Sequence, residues 1–209
     1  FVSSGAGATV RINNPKIDGG SITAATGHVI TINGAYWSGG TLTSSGTGYI
    51  KFIGDSNTIV PGSSVLGTGP TVSGNITIDT NAYWNMLPVA GGYIPFGVNG
   101  ALTNNGTINI NPGASAGYNI YFGVSTANQG SVTNNGSFNV GAPTPGASAN
   151  ANGLIYFHMY PVLNNYGTIN TYYGSGDSTL FNIYSSSNIY GTTQAPSSMD
   201  GGVLWKSTS

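Results

Sequence analysis

The chain has no cysteine and no glutamate, and charged side chains make up only 4% of its 209 residues. Without cysteine there is no disulfide scaffold, no thiolate nucleophile and no thiolate metal site. Five aspartates carry all the side-chain negative charge: Asp18, Asp55, Asp79, Asp177 and Asp200. They face four basic residues, Arg11, Lys16, Lys51 and Lys206, for a net charge of −1. Soluble domains average about 25% charged residues, so electrostatics is nearly silent here. A basic footprint for nucleic acid or for an anionic membrane is missing. Long apolar runs are missing too: no stretch of about 18 such residues offers a membrane span. Helix formers are scarce, and no sustained i, i+3, i+4, i+7 apolar pattern occurs. No secretory signal is legible. The first residue is Phe1, so a preceding segment is expected to have been removed, by processing of a secreted precursor or by trimming.

What is abundant is Gly, at 34 residues, together with Asn, Ser, Thr and 11% aromatics. Low charge with many polar residues can mean disorder. The aromatic and β-branched residues argue otherwise, because they fall in short alternating runs: "VITING" (Val29–Gly34), "YIKFIG" (Tyr49–Gly54), "NITIDT" (Asn75–Thr80), "NIYFGV" (Asn119–Val124) and "TLFNIY" (Thr179–Tyr184). Each run is bounded by Gly, Asn, Pro or Ser, the signature of a strand. The chain reads as all-β, a single domain over residues 1–209. A domain of this length buries roughly 70% of its unfolded surface.

Repetition sharpens the reading. "LTNNGTINI" (Leu102–Ile110) returns as "VTNNGSFNV" (Val132–Val140) and "LNNYGTINT" (Leu163–Thr171), 30 and 31 residues apart. A shorter repeat precedes it: "GGSITAATGHVITING" (Gly19–Gly34) matches "GGTLTSSGTGYIKFIG" (Gly39–Gly54) at an offset of 20. Short repeats thus occupy 19–60, longer ones 72–191, and a loop with a C-terminal strand 192–209.

Asn-Gly between alternating apolar residues is a strong hairpin signal, so a β-sandwich of hairpins is one reading. The other is a parallel β-helix with irregular coils of 20–30 residues. In that solenoid, equivalent residues stack about 4.8 Å apart. Leu102, Val132 and Leu163 would then line one core column, and Ile108, Phe138 and Ile169 another. Asn104, Asn134 and Asn165 would form an amide ladder at a corner. The corner glycines would supply positive φ. One geometry serves all three copies, which favours the solenoid.

The stretches "ALTNNGTINI", "SVTNNGSFNV" and "VLNNYGTINT" resemble the L-x-N-x-G-x-I repeats of bacterial filamentous-haemagglutinin-type adhesins and autotransporter passengers. "YIKFIGDSNTIVPG" and "TVSGNITID" resemble repeats of large secreted surface-fibre proteins of Bacteroidota. The likeness is at repeat level, over residues 19–60 and 72–190. It implies an extracellular right-handed β-helix acting in adhesion or as a surface fibre, with no catalytic residues to carry over. A 30-residue unit exceeds the usual coil, so loops such as "GAPTPGASANANG" (Gly141–Gly153) must bulge, or each unit exceeds one turn.

Candidate chemistry is thin. His28 and His158 sit alone on strands, too few for a metal site. The aspartates form no sequence pair of the kind glycosidases use, and those in "GDSN" (Asp55) and "GSGDS" (Asp177) read as turn residues. We therefore expect no catalytic residue, no metal and no cofactor. Two "AYW" clusters, Tyr36-Trp37 and Tyr83-Trp84, are candidates for sugar or interface contacts, with core packing as the competing role. Asn75, Asn105 and Asn135 head N-x-S/T acceptor sequences, though two of them lie in repeat corners with a structural reason of their own.

The ends, "FVSSGAGATVRI" and "GGVLWKSTS", read as strands and not as polar caps. Val203, Leu204 and Trp205 are the expected assembly strand, either completing a neighbour's sheet or closing its own fold. Three functions follow as expectations. The first is a structural subunit of an extracellular or cell-surface filament that self-assembles through its terminal strands into a homo-polymer. The second is an adhesin or carbohydrate-binding domain that contacts glycans or a host surface. A polysaccharide-degrading β-helix enzyme comes third. Nucleic acid and membrane insertion are not expected.

Overall fold

The computed structural model describes residues 2, 7–60, 69–87, 93–110, 118–123, 130–140, 155–171, 178–184, 187–194 and 202–207. It is a parallel β-helix of eight coils; among the described residues every strand pairing is parallel and there is no helix. Coil one is β1 (Thr9–Asn13) and β2 (Lys16–Ala24), and coil two is β3 (Val29–Asn33) and β4 (Tyr36–Ser44). Coil three replaces the long strand by two: β5 (Tyr49–Ile53), β6 (Asn57–Ile59) and β7 (Thr71–Val72). Coil four is β8 (Asn75–Ile78), β9 (Tyr83–Met86) and β10 (Tyr93–Val98). Coil five is β11 (Ala101–Asn104), β12 (Thr107–Ile110) and β13 (Tyr118–Phe122). Coil six is β14 (Ser131–Asn134), β15 (Ser137–Val140) and β16 (Ile155–Met159). Coil seven is β17 (Val162–Asn165), β18 (Thr168–Thr171) and β19 (Ser178–Ile183). Coil eight is β20 (Asn188–Ile189), β21 (Thr192–Gln194) and β22 (Gly202–Ser207).

Three faces result. The first is the eight-stranded sheet β1-β3-β5-β8-β11-β14-β17-β20. The other two diverge from the nine-residue strand β4, which pairs with β6 at Tyr36-Trp37 and with β7 at Thr41-Leu42. From there β6-β9-β12-β15-β18-β21 form the second face and β7-β10-β13-β16-β19-β22 the third. The coil length follows from the register. Thr9 faces Val29 and Val29 faces Tyr49, a step of 20. Ile50, Ile76 and Leu102 face in succession, a step of 26. Leu102, Val132 and Leu163 extend it to 30 and 31. Each long unit is therefore one coil, with its surplus between strands. Thr192–Gln194, expected as loop, is a strand because it continues the β18 register. The 141–153 loop lies outside the described residues.

Asn105-Gly106 is a corner, not a hairpin tip: it joins β11 on the first face to β12 on the second. Both expected core columns form, Leu102–Val132–Leu163 and Ile108–Phe138–Ile169, all buried. The corner glycines differ from expectation. None of Gly106, Gly136 and Gly167 takes a positive φ. They are glycine because the coils touch there: a Cβ on Gly136 would strike the Gly106 carbonyl oxygen, and one on Gly167 that of Gly136. In these three coils closeness of stacked backbone sets the residue, whereas at the same corner of coils one to three Asn14, Gly34 and Gly54 take positive φ, 50°, 68° and 77°.

The interior carries an aromatic spine. Trp37 packs on Phe52, Trp84 and Phe96, with centroids 6.2, 5.9 and 5.6 Å away. Phe96 reaches Phe122 at 5.0 Å, and Phe122 reaches Phe138 and Phe157 at 5.5 and 5.4 Å. The Trp37–Phe52 pair is stacked and the others are edge-on or tilted, arrangements that suit the ring quadrupole. The indole of Trp37 donates to the Gly39 carbonyl at 2.9 Å.

Candidate functional site

Alternation along a strand decides the "AYW" clusters. Ala35 and Trp37 point inward, as do Ala82 and Trp84, and both tryptophans are fully buried. Trp37 and Trp84 are therefore core residues and cannot meet a sugar or a partner. Tyr36 and Tyr83 point outward and are 44% and 38% exposed. The fold does not bring them together. Tyr36 stacks in register with Thr58 and, one coil on, Asn85, whereas Tyr83 heads the neighbouring column with Thr107 and Ser137.

Val203, Leu204 and Trp205 lie in β22, which pairs with β19 of the same chain: Thr179 faces Val203, Leu180 faces Leu204 and Phe181 faces Trp205. The segment is the last rung of its own sheet and not a free donor arm.

Asn104, Asn134 and Asn165 are fully buried and stacked. Asn104 Nδ2 donates to Asn134 Oδ1 at 2.7 Å, and Asn134 Nδ2 donates to Asn165 Oδ1 at 2.6 Å. The same nitrogens also donate to the carbonyls of Ser137 and Thr168, at 2.9 and 3.2 Å. Buried amides are costly unless satisfied, and these use both hydrogens. A second ladder runs outside on the second face: Asn109 to Asn85 at 3.0 Å, Asn139 to Asn109 at 2.8 Å and Asn170 to Asn139 at 2.7 Å. Asn57 does the corner work in coil three, donating to the Ile53 and Tyr83 carbonyls and accepting from Ala35 N–H. Of the acceptor asparagines, Asn75 is exposed and donates to the Gly46 carbonyl at 3.4 Å. Asn135 Nδ2 donates to Asn105 Oδ1 at 2.8 Å, so this pair belongs to a surface ladder.

The titratable groups are scattered. Lys51 pairs with Asp79 at 2.8 Å and holds that carboxyl below the usual range, outweighing the opposing desolvation. Lys16 pairs with Asp18 at 3.2 Å, and Asp55 accepts from the Ser56 hydroxyl at 2.9 Å. Asp177 and Asp200 lie outside the described residues. Among the described residues no group of three His, Cys, Asp or Glu could hold a metal. His28 is buried in its corner.

The sequence reading missed an aromatic array on the outside. His158 stacks on Tyr121 at 4.4 Å, and its Nδ1 lies 2.9 Å from the Tyr184 hydroxyl. Tyr184 stacks on Tyr160 at 4.5 Å. Burial pushes the His158 imidazole below its ordinary value of 6.5; burial, and then Tyr160, pushes the Tyr184 phenol up. At the first corner, Tyr166 stacks on Tyr190 at 5.3 Å. The signal for that pair was present in "NNYG" (Asn164–Gly167) and "NIYG" (Asn188–Gly191).

No described helix could cross a membrane. Comparison of the chain with known families, with curated proteins and with solved structures gave no match.

Proposed function

We propose that the chain is a structural segment of an extracellular surface fibre, a rod that associates end to end by adding coils. The observation behind this reading is at the last coil. Ile189 stands in register with the buried Asn165 column, yet it is 41% exposed. The strands β1, β20, β21 and β22 are the outermost of their sheets. A coil stacked there by a second copy would bury Ile189 and add parallel main-chain hydrogen bonds. Near-absence of charge leaves no long-range repulsion between copies.

The test is sedimentation of the purified chain over a range of concentrations, with electron microscopy of the same samples. Wild type should grow into rods. Ile189→Lys, which would bury a charge in the contact, should stay monomeric with its β circular dichroism intact. A wild type monomeric at every concentration, or a variant that assembles equally well, would sink the reading. The exposed rings of Tyr36 and Tyr83 favour a second reading, an adhesin that stacks sugars on them. Glycan binding lost in Tyr36→Ala and Tyr83→Ala would support it.

A further inference from the structure

Tyr166 and Tyr190 follow the paired residues Asn165 and Ile189 at the outer corner of coils seven and eight. Their backbones are pinned: Tyr166 N–H donates to the Asn134 carbonyl at 2.7 Å and Tyr190 N–H to the Asn165 carbonyl at 2.8 Å. The rings lie with centroids 5.3 Å apart and planes 11° from parallel. They are also open to solvent, 56% and 70% exposed. We propose that this pair is an oxidative cross-linking site, joined as dityrosine by hydrogen peroxide and a haem peroxidase of the surroundings.

The chemistry balances. Each phenol loses one electron and its hydroxyl proton to become a phenoxyl radical. The two radicals join through ring carbons ortho to oxygen. The hydrogens on those carbons move to the oxygens as the rings regain aromaticity. The product is two hydrogens lighter, and the two electrons and two protons reduce one peroxide to two waters. Proximity selects the partner, since two rings already stacked react far faster than rings on separate molecules. Exposure selects the pair. Tyr160 and Tyr184 are closer, at 4.5 Å, but both are half-buried and the Tyr184 hydroxyl is engaged by His158. The new bond would staple coils seven and eight together across a 24-residue span. The inference does not depend on the fibre reading, because it needs only one folded chain.

The experiment treats dilute purified chain with peroxide and a haem peroxidase, then reads dityrosine fluorescence and maps linked peptides by mass. Wild type should give a monomer-sized product with residues 166 and 190 joined. Tyr166→Phe and Tyr190→Phe, exposed changes that keep the ring but remove the phenol, should each abolish the 166–190 link and with it the intramolecular signal. Tyr184→Phe should leave it unchanged. Linkage mapped to 160 and 184, a product dominated by dimers, or a signal that survives Tyr166→Phe would overturn the proposal.

Discussion

At the scale of single residues, the same side chain is worth very different amounts in adjacent positions. Asn134 is fully buried and holds Asn104 above and Asn165 below, whereas Asn135 is exposed and makes one surface amide contact. Asn134→Ala takes the donor from Asn165 Oδ1 and the acceptor from one Asn104 Nδ2 hydrogen. Each unsatisfied buried group costs about 1–3 kcal/mol, so a total loss of about 2–4 kcal/mol is expected. Asn135→Ala should cost under about 1 kcal/mol. Urea midpoints of the two variants test this, and equal effects would mean that the ladder is decorative. His158 supplies a pH test. Its folded pKa lies below 6.5, so the unfolded chain takes up a proton that the folded chain refuses. The stability tied to this residue is complete above 6.5 and falls as pH drops through the folded value. Wild type should weaken as pH drops below about 6.5, and His158→Gln should flatten that slope. A slope unchanged in the variant would place its origin elsewhere.

At the scale of elements, a solenoid repeats every position one coil up. A charge placed on a strand therefore meets its own kind if the repeat carries it. On the first face Lys51, Thr77, Thr103 and Thr133 stand in one outward column. Like charges about 4.8 Å apart repel by about 1 kcal/mol even in water. This explains physically why Asn, Ser and Thr fill the outward columns: amides and hydroxyls bond to their own copies where charges repel. Replacing Thr77, Thr103 and Thr133 together by Lys should destabilise by about 1–3 kcal/mol, with most of the loss recovered in about 1 M salt. The alternating set Thr77→Asp, Thr103→Lys, Thr133→Asp should be near neutral. Thermal unfolding at two salt concentrations separates the cases, and an identical melt for both sets would defeat the argument.

At the scale of the molecule, the described strands pair between neighbouring coils and the buried rings reach one coil further, Trp37 of coil two meeting Trp84 and Phe96 of coil four, so stability is built largely from local stacking. The central strands β11 and β14 are flanked on both sides, while β1 and β20 end their sheet. Hydrogen exchange on dilute chain should show β1 and β20 opening first and β11 and β14 last. Uniform exchange across all coils would indicate one indivisible block instead. In assembled rods, end protection should rise toward that of the centre.

Periodicity alone determined the all-β class, favoured the solenoid over a sandwich of hairpins, and placed the columns that a solenoid would have around Leu102, Ile108 and Asn104. These are local alternation multiplied by a repeat, and both are written in one dimension. The inward set of a strand was in principle legible as well: Tyr36 out and Trp37 in is the two-residue period, though which parity faced the core needed the neighbouring Ala35. What only the tertiary structure decided is what depends on which coil stacks on which. Gly106, Gly136 and Gly167 are glycine because of carbonyls in the preceding coil, which sit one coil away in sequence. Trp205 lies opposite Phe181 because β22 continues the third face in parallel register with β19. Tyr166 meets Tyr190, and His158 meets Tyr184, across coils of 24 and 26 residues. Coil length varies from 20 to 31 along this chain, so no fixed offset reveals such pairs. Stacking closes the coil's register in space, and only there do they touch.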